Sequence, residues 1–228
     1  MPTLTFCSTK GGAGKSTGSV LLACELAVRG ATVSLIDADP NQPVARWGKK
    51  PGKPKTLNVI GGVTEENLID VIEDAARKTA FVIVDLEGSA SLMVAQSMSR
   101  ADLVVIPCKG STLDVAEAIK VFAFVKRQEK AYGRKIPYKL LWSQTNPAIR
   151  SRGLKALEAE MVEQGVPVFS TALHERDAYR AVFAFGGTLH DLDRKQVPNI
   201  DAAAQNVREL TAEIVASLQP SKSQEKVA

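Results

Sequence analysis

Residues 10–17 read Lys10-Gly11-Gly12-Ala13-Gly14-Lys15-Ser16-Thr17, and the reading of this octet decides the fold. It follows an apolar run at residues 4–7 and opens a helical pattern over 15–29, with Val20, Leu21, Ala23, Leu26 and Ala27 on one broad face. A strand, a glycine-rich turn and a helix in that order build a phosphate-binding loop. Gly11, Gly12 and Gly14 lack a Cβ, so their backbone amides can close around an anion. The helix opening at Lys15 points the positive end of its dipole at the same place. In such a loop Lys15 reaches the β- and γ-phosphates and the Ser16 hydroxyl ligates magnesium. The common pattern has glycine five residues before Gly14. This chain has Thr9 there, followed by an additional lysine, Lys10.

Working outward, short apolar runs recur at residues 32–36, 57–60, 81–84, 103–106, 138–142 and 166–169. Several are apolar at nearly every position, as strands buried on both faces of a parallel sheet must be. Helical patterns fill the gaps: 64–78 with Thr64 as N-cap, 111–126 with Ser111 and Asp114 in capping-box spacing, 151–164 ended by Gly165, and 201–218. This alternation predicts an α/β fold, a doubly wound and mainly parallel sheet flanked by helices. One domain is expected over 1–218, with 51–54 as a surface loop and 219–228 as a disordered tail.

Bulk composition agrees. The chain has 228 residues, 45% hydrophobic and 24% charged, with aromatics at only 5%, so the core must be aliphatic. The net charge of +4 permits contact with nucleic acid without requiring it. Cys7, Cys24 and Cys108 have neither zinc-site nor disulfide spacing, and Cys7 and Cys24, which lie in apolar runs, read as buried free thiols in a reducing compartment. No apolar run approaches the roughly 20 residues of a membrane span, and no signal peptide is visible, so a soluble cytoplasmic protein is expected.

Two further acidic positions converge on the loop. Asp85 ends the run at 81–84 as a Walker B aspartate would, and Gly88 follows three residues later, where its amide can approach a γ-phosphate. The run at 32–36 leads into Asp37-Ala38-Asp39-Pro40, which brings two carboxylates to the same sheet edge. A dinucleotide-binding turn is the rival reading, with Gly12, Gly14, Gly18 and Asp37 as its fingerprint. It places Lys15 and Ser16 where that turn packs tightly against its helix, so phosphate binding is the better match.

With these motifs in order, the chain resembles the ParA/MinD-type ATPases with a deviant Walker A motif. The likeness continues through Ala101-Asp-Leu-Val-Val-Ile-Pro107 and Asp114. The segment from Val168 to Tyr179 is similar to the late part of small ParF-type plasmid-partition ATPases, and His174-Glu-Arg-Asp-Ala178 also resembles VirC1 proteins of conjugative DNA transfer. The resemblance implies ATP and Mg2+ as cofactors and a homodimer that sandwiches two ATP molecules. Lys10 would be the signature lysine reaching the partner's ATP, Asp39 would position the attacking water, and Asp37 and Asp85 would serve magnesium with Ser16. The nucleotide contacts would run from Lys10 through Gly11, Gly12, Ala13, Gly14, Lys15, Ser16 and Thr17, with Gly88 beside them. Hydrolysis would be slow, making the ATP dimer a timed switch.

The chain departs from that pattern twice. Leu86-Glu87-Gly88 stands where ParA proteins commonly have Thr and Pro, and Ser143-Gln144 stands where many relatives carry an Asn-Arg pair. The second change touches the choice of adenine over guanine.

Cargo is less directly encoded. No helix-turn-helix segment precedes Leu4, so sequence-specific DNA reading from an N-terminal extension is not expected. Arg150, Arg152, Lys155, Arg176 and Arg180, with Arg194 and Lys195, are candidates for nonspecific DNA contacts paired across a dimer. Nucleoid association would follow. The partners implied by the resemblance are a ParB-like centromere-binding protein or a relaxosome component. The C-terminal Pro220-Ser-Lys-Ser-Gln-Glu-Lys-Val-Ala228 has no apolar helical face to insert into a membrane. A metabolic P-loop ligase is the remaining alternative, and an iron–sulfur reductase fails for want of a second cysteine ligand near Cys108.

Overall fold

The computed structural model describes residues 1–88, 91–146 and 152–218. Seven strands form one sheet: β1 (Thr3–Phe6), β2 (Val33–Ala38), β3 (Leu57–Ile60), β4 (Phe81–Leu86), β5 (Leu103–Cys108), β6 (Tyr138–Thr145) and β7 (Leu173–His174). Their order is β3-β2-β4-β1-β5-β6-β7, and every pairing is parallel. Strands β2 and β5 are buried along their full length, which explains the continuous apolar run of β5 and leaves Ser34 and Asp37 as the buried polar residues of β2.

Among the described residues eight α-helices connect and cover the strands: α1 (Lys15–Val28), α2 (Pro43–Gly48), α3 (Leu68–Lys78), α4 (Leu92–Arg100), α5 (Thr112–Tyr132), α6 (Arg152–Glu163), α7 (Asp177–Phe185) and α8 (Ile200–Ser217). One core joins α1, α2, α7 and α8 to the sheet face carrying Leu4, Phe6 and Leu35. The other joins α3, α4, α5 and α6 to the face carrying Ile36, Val84 and Ile106. Each large aliphatic side chain so buried contributes about 1.5–3 kcal/mol against chain entropy. The wide apolar face of α1 is explained by its position between the sheet and α8.

The expected elements are present, with three corrections. Residues 166–169 are not a strand of the sheet: Val168 makes only an isolated bridge to Leu140, and the edge strand is β7 instead. Thr64 does not cap α3. The helix starts four residues later with Asn67 at its N-cap, and the Asn67 side chain accepts from the Thr64 N–H at 2.9 Å. Helix α5 continues to Tyr132, where Gly133 at φ +64° ends it. The Ser111 cap of that helix is present, its hydroxyl accepting from the Asp114 N–H at 3.2 Å. Helices α2, α4 and α7, of six, nine and nine residues, are short elements that the sequence pattern does not single out. Residues 219–228, expected to be a tail, and Arg150 lie outside the described residues.

Candidate functional site

A parallel sheet with β1 between β4 and β5 opens its ligand crevice at the carboxyl ends of the central strands. Register places the acidic residues there: Asp85 on β4 pairs with Phe6 on β1 and with Asp37 on β2. The loop of residues 10–17 leaves β1 at that edge and enters α1 at Lys15. Gly12 and Gly14 adopt φ of +72° and +93°, a left-handed backbone that a side chain would strain. Gly88 packs against the loop so closely that a Cβ there would sit 3.2 Å from the Lys10 carbonyl carbon and 3.3 Å from the Gly11 nitrogen.

The two lysines of the loop part company. Lys15 is 6% exposed, with Nζ 3.4 Å from the Lys10 carbonyl oxygen. The Lys10 side chain is 47% exposed, and its Nζ pairs at 2.5 Å with Asp114 Oδ1 in the first turn of α5. Asp114 is itself 9% exposed, and its other oxygen accepts from the Ser111 hydroxyl at 2.6 Å. Burial works against the ionised Asp114 carboxyl, but Lys10 and the Ser111 hydroxyl outweigh it and hold the group below the ordinary carboxylate range. Lys109 joins this cluster, its Nζ 4.0 Å from where a Cβ on Gly12 would stand.

The three aspartates differ in kind. Asp85 is fully buried, and neither carboxylate oxygen has a hydrogen-bond partner among the described residues. Burial pushes this carboxyl up to about 7; the Ser16 hydroxyl and Lys15 oppose the shift, while Asp37 adds to it. Asp37 is also buried, but its oxygens accept from the Asp39 N–H at 3.2 Å and the Ala45 N–H at 2.7 Å, tying the turn after β2 to α2. Asp39 is partly exposed and accepts from the Asn41 N–H at 2.8 Å.

An orphaned carboxylate beside a phosphate-type loop is a costly arrangement unless a cation completes it. The donors present, a buried carboxylate and the Ser16 hydroxyl, are the hard oxygen ligands magnesium prefers. The residues therefore fit a magnesium ion. Asp85 and Ser16 would hold it, with Asp37 committed mainly to its turn. Among the described residues, no cluster of three or more His, Cys, Asp or Glu side chains suits a metal held by protein alone.

On the opposite side of the loop, a cavity of about 370 Å3 lies against Gly14 and Thr17 and is walled by Gln144, His174, Arg176 and Tyr179. Two β6 residues hold the loop from this side: the Ser143 hydroxyl donates to the Ala13 carbonyl at 2.7 Å, and the Gln144 side-chain amide donates to the Gly12 carbonyl at 2.8 Å. Gln144 does this from a left-handed backbone, φ +53°. The His174 Nδ1 lies 2.8 Å from the Thr145 hydroxyl, and burial together with Arg176 lowers the pKa of the ring, favouring the neutral imidazole. The Arg176 Nε is buried without a partner among the described residues.

Of the basic residues named as DNA contacts, Arg176 and Arg180 border this cavity, and Arg180 forms ion pairs with Glu175 and Asp177. Arg194 is paired with Asp201. Arg152 and Lys155 are exposed on α6. Sequence reading had assigned no role to Lys109, Thr145 or Tyr179, and it noted Ser143 and Gln144 only as departures. All of them lie at or beyond the carboxyl ends of β5, β6 and β7, where the topological rule places ligand contacts.

Comparison with known proteins agrees with this geometry. The family model described as VirC1 protein matches residues 1–220. The chain is 39% identical to Protein ParA of Rhizobium radiobacter over 90% of its own length and 92% of that protein's. It is 30% identical to Protein virC1 of Rhizobium rhizogenes over 94% and 95% of the two lengths. Among solved structures, an ATP complex of an McdA variant from Cyanothece superposes with a TM-score of 0.76 at 17% identity, covering 94% of this chain and 96% of that one. The MinD cell division protein of Aquifex aeolicus gives 0.73 at 17% identity, over 96% and 99%. The chain belongs to the VirC1 family, within the ParA/MinD-type ATPases of the P-loop fold.

Proposed function

We propose that this protein is a nucleotide-switched ATPase that binds Mg·ATP in the loop of residues 10–17, pairs face to face with a second copy, and in that state binds DNA without sequence preference to drive DNA segregation. The observation that carries the reading is the placement of the two loop lysines. Lys15 is buried within its own loop, whereas the Lys10 ammonium lies at the surface on Asp114. A lysine of the phosphate loop held outside its own phosphate site is available to a neighbouring protomer.

Roles follow from position. The loop amides and Lys15 take the phosphates, and Gly88 stands at the γ-phosphate end. Thr17 and the cavity beside it receive the nucleoside. Bound magnesium would neutralise phosphate charge, and Asp85 and Ser16 would orient it. Asp39, partly exposed at the same edge, would position the attacking water. Lys10 would neutralise charge developing on the partner's γ-phosphate as the bond to the leaving oxygen lengthens. Slow hydrolysis, stimulated by a ParB-like partner, would reset the switch. For DNA, Arg152 and Lys155 are exposed cations on α6, and their duplication across a dimer would supply a salt-sensitive contact.

A second reading is a VirC1-like factor that positions a conjugative DNA-transfer complex, and the family match favours it as runner-up. Binding to random duplex DNA at two salt concentrations, with ATP, ADP or no nucleotide, separates the two. Salt-sensitive binding with ATP alone supports segregation. Binding that ignores nucleotide, or no binding, moves the assignment to protein recruitment.

A further inference from the structure

Asn206 lies in the middle of α8, is 5% exposed, and is shared among three groups of one segment. Its Oδ1 accepts from the His174 N–H at 3.1 Å and from the Tyr179 hydroxyl at 3.0 Å, and its Nδ2 donates to the Ala172 carbonyl at 2.8 Å. The Tyr179 hydroxyl also lies 3.2 Å from the Ala203 carbonyl on the same helix. These bonds fix both ends of the stretch that carries His174, Arg176 and Tyr179 into the cavity beside the phosphate loop. The network continues through the His174 ring to Thr145 on β6, the strand whose Ser143 and Gln144 hold the loop carbonyls.

We propose that Asn206 is a positioning residue for nucleotide recognition: from α8 it shapes the residue 172–179 wall, and so sets how well the cavity accepts the nucleoside of ATP. It touches no part of the cavity's contents itself. The inference rests on the reading that this cavity receives the nucleoside. Removing the amide would leave the partly buried His174 N–H and Ala172 carbonyl without their partner and the Tyr179 hydroxyl with only the Ala203 carbonyl, and the wall would move to find replacements. The phosphate loop, whose carbonyls are held by Ser143 and Gln144 and not by Asn206, would stay in place.

A purely structural role makes a different prediction, and α8 supplies the control. Glu213 accepts from the Ser170 and Thr171 N–H groups at 2.7 and 2.8 Å, so it holds the same segment ahead of the cavity wall. Glu213→Ala should lower thermal stability without changing nucleoside recognition.

The test compares affinity for ATP with affinity for inorganic tripolyphosphate, both with magnesium, on the full chain. Wild type should bind ATP at least about tenfold more tightly. Asn206→Leu should lose about tenfold in ATP affinity while tripolyphosphate binding stays within about twofold. Tyr179→Phe should move the ratio the same way, and the double variant should be no worse than Asn206→Leu alone. If Asn206→Leu does not fold, Tyr179→Phe and Glu213→Ala decide. Equal losses for both ligands, or an unchanged ratio in every folded variant, would overturn the positioning role alone. Equal affinity of the wild type for ATP and tripolyphosphate would overturn the nucleoside reading, and the positioning role with it.

Discussion

Lys10 of the phosphate loop is paired at 2.5 Å with Asp114 of α5, within the same chain. The account requires Lys10 to reach a second protomer's nucleotide, so this pair must break when the dimer forms. Lys10 is half exposed, and water screens the pair, which limits its strength to about 1 kcal/mol. Asp114→Asn removes the charge and leaves the backbone part of the Ser111 cap in place. Each dimer breaks two such pairs, so ATP-dependent dimerisation of this variant should tighten by up to about thirtyfold in sedimentation. A weaker dimer would mean that Asp114 guides Lys10 outward and does not hold it back.

Asp85 is a buried carboxylate without a hydrogen-bond partner among the described residues. Without magnesium and nucleotide, Asp85→Asn removes a carboxyl that burial penalises and should raise the melting temperature at pH 7 and above. The same variant should bind ATP with little response to added magnesium. Differential scanning fluorimetry with EDTA, and then with Mg·ATP, measures both. A destabilised variant in EDTA would show that Asp85 is satisfied by protein alone.

The Ser143 hydroxyl reaches the Ala13 carbonyl across the base of the loop. Ser143→Ala leaves that carbonyl short of a partner and loosens the loop, for a loss of about 1 kcal/mol in ATP affinity. Titration calorimetry checks this, and unchanged affinity would remove β6 from the binding machinery.

Burial raises the thiols of Cys7, Cys24 and Cys108 to about 12. All three sit far above the usual cysteine value and are buried, so the native protein at pH 8 should resist iodoacetamide for hours and take up three labels once unfolded. Intact-mass spectrometry counts the labels. Rapid labelling of Cys108 would reveal an opening near the Lys10–Asp114 pair.

What was legible in the sequence was what short-range chemistry encodes. The glycines and lysines of residues 10–17, the near-continuous apolar strands, and the acids at the ends of β2 and β4 are each dictated locally, and the fold and family follow from them. The cavity wall was not legible. Gln144, His174 and Tyr179 meet there only because β7 pairs with β6, across a register shift between Ser143 and Thr145, and α8 presents Asn206, which are long-range relations. The edge strand was misplaced for a similar reason: residues 166–169 are more apolar than β7, but only the latter extends the ladder from β6. The basic residues show the limit of charge counting, since Arg180 and Arg194 are spent on neighbouring acids.

Sedimentation velocity with ATP, ADP or no nucleotide, on wild type, Lys10→Ala, Lys15→Ala and Asp39→Ala, tests the central claim most directly. Wild type should dimerise with ATP alone, and the dimer should persist in Asp39→Ala. No dimer should form in Lys15→Ala, which should not bind nucleotide, or in Lys10→Ala, which should still bind it. A Lys10→Ala protein that dimerises normally with ATP would contradict the shared-nucleotide switch.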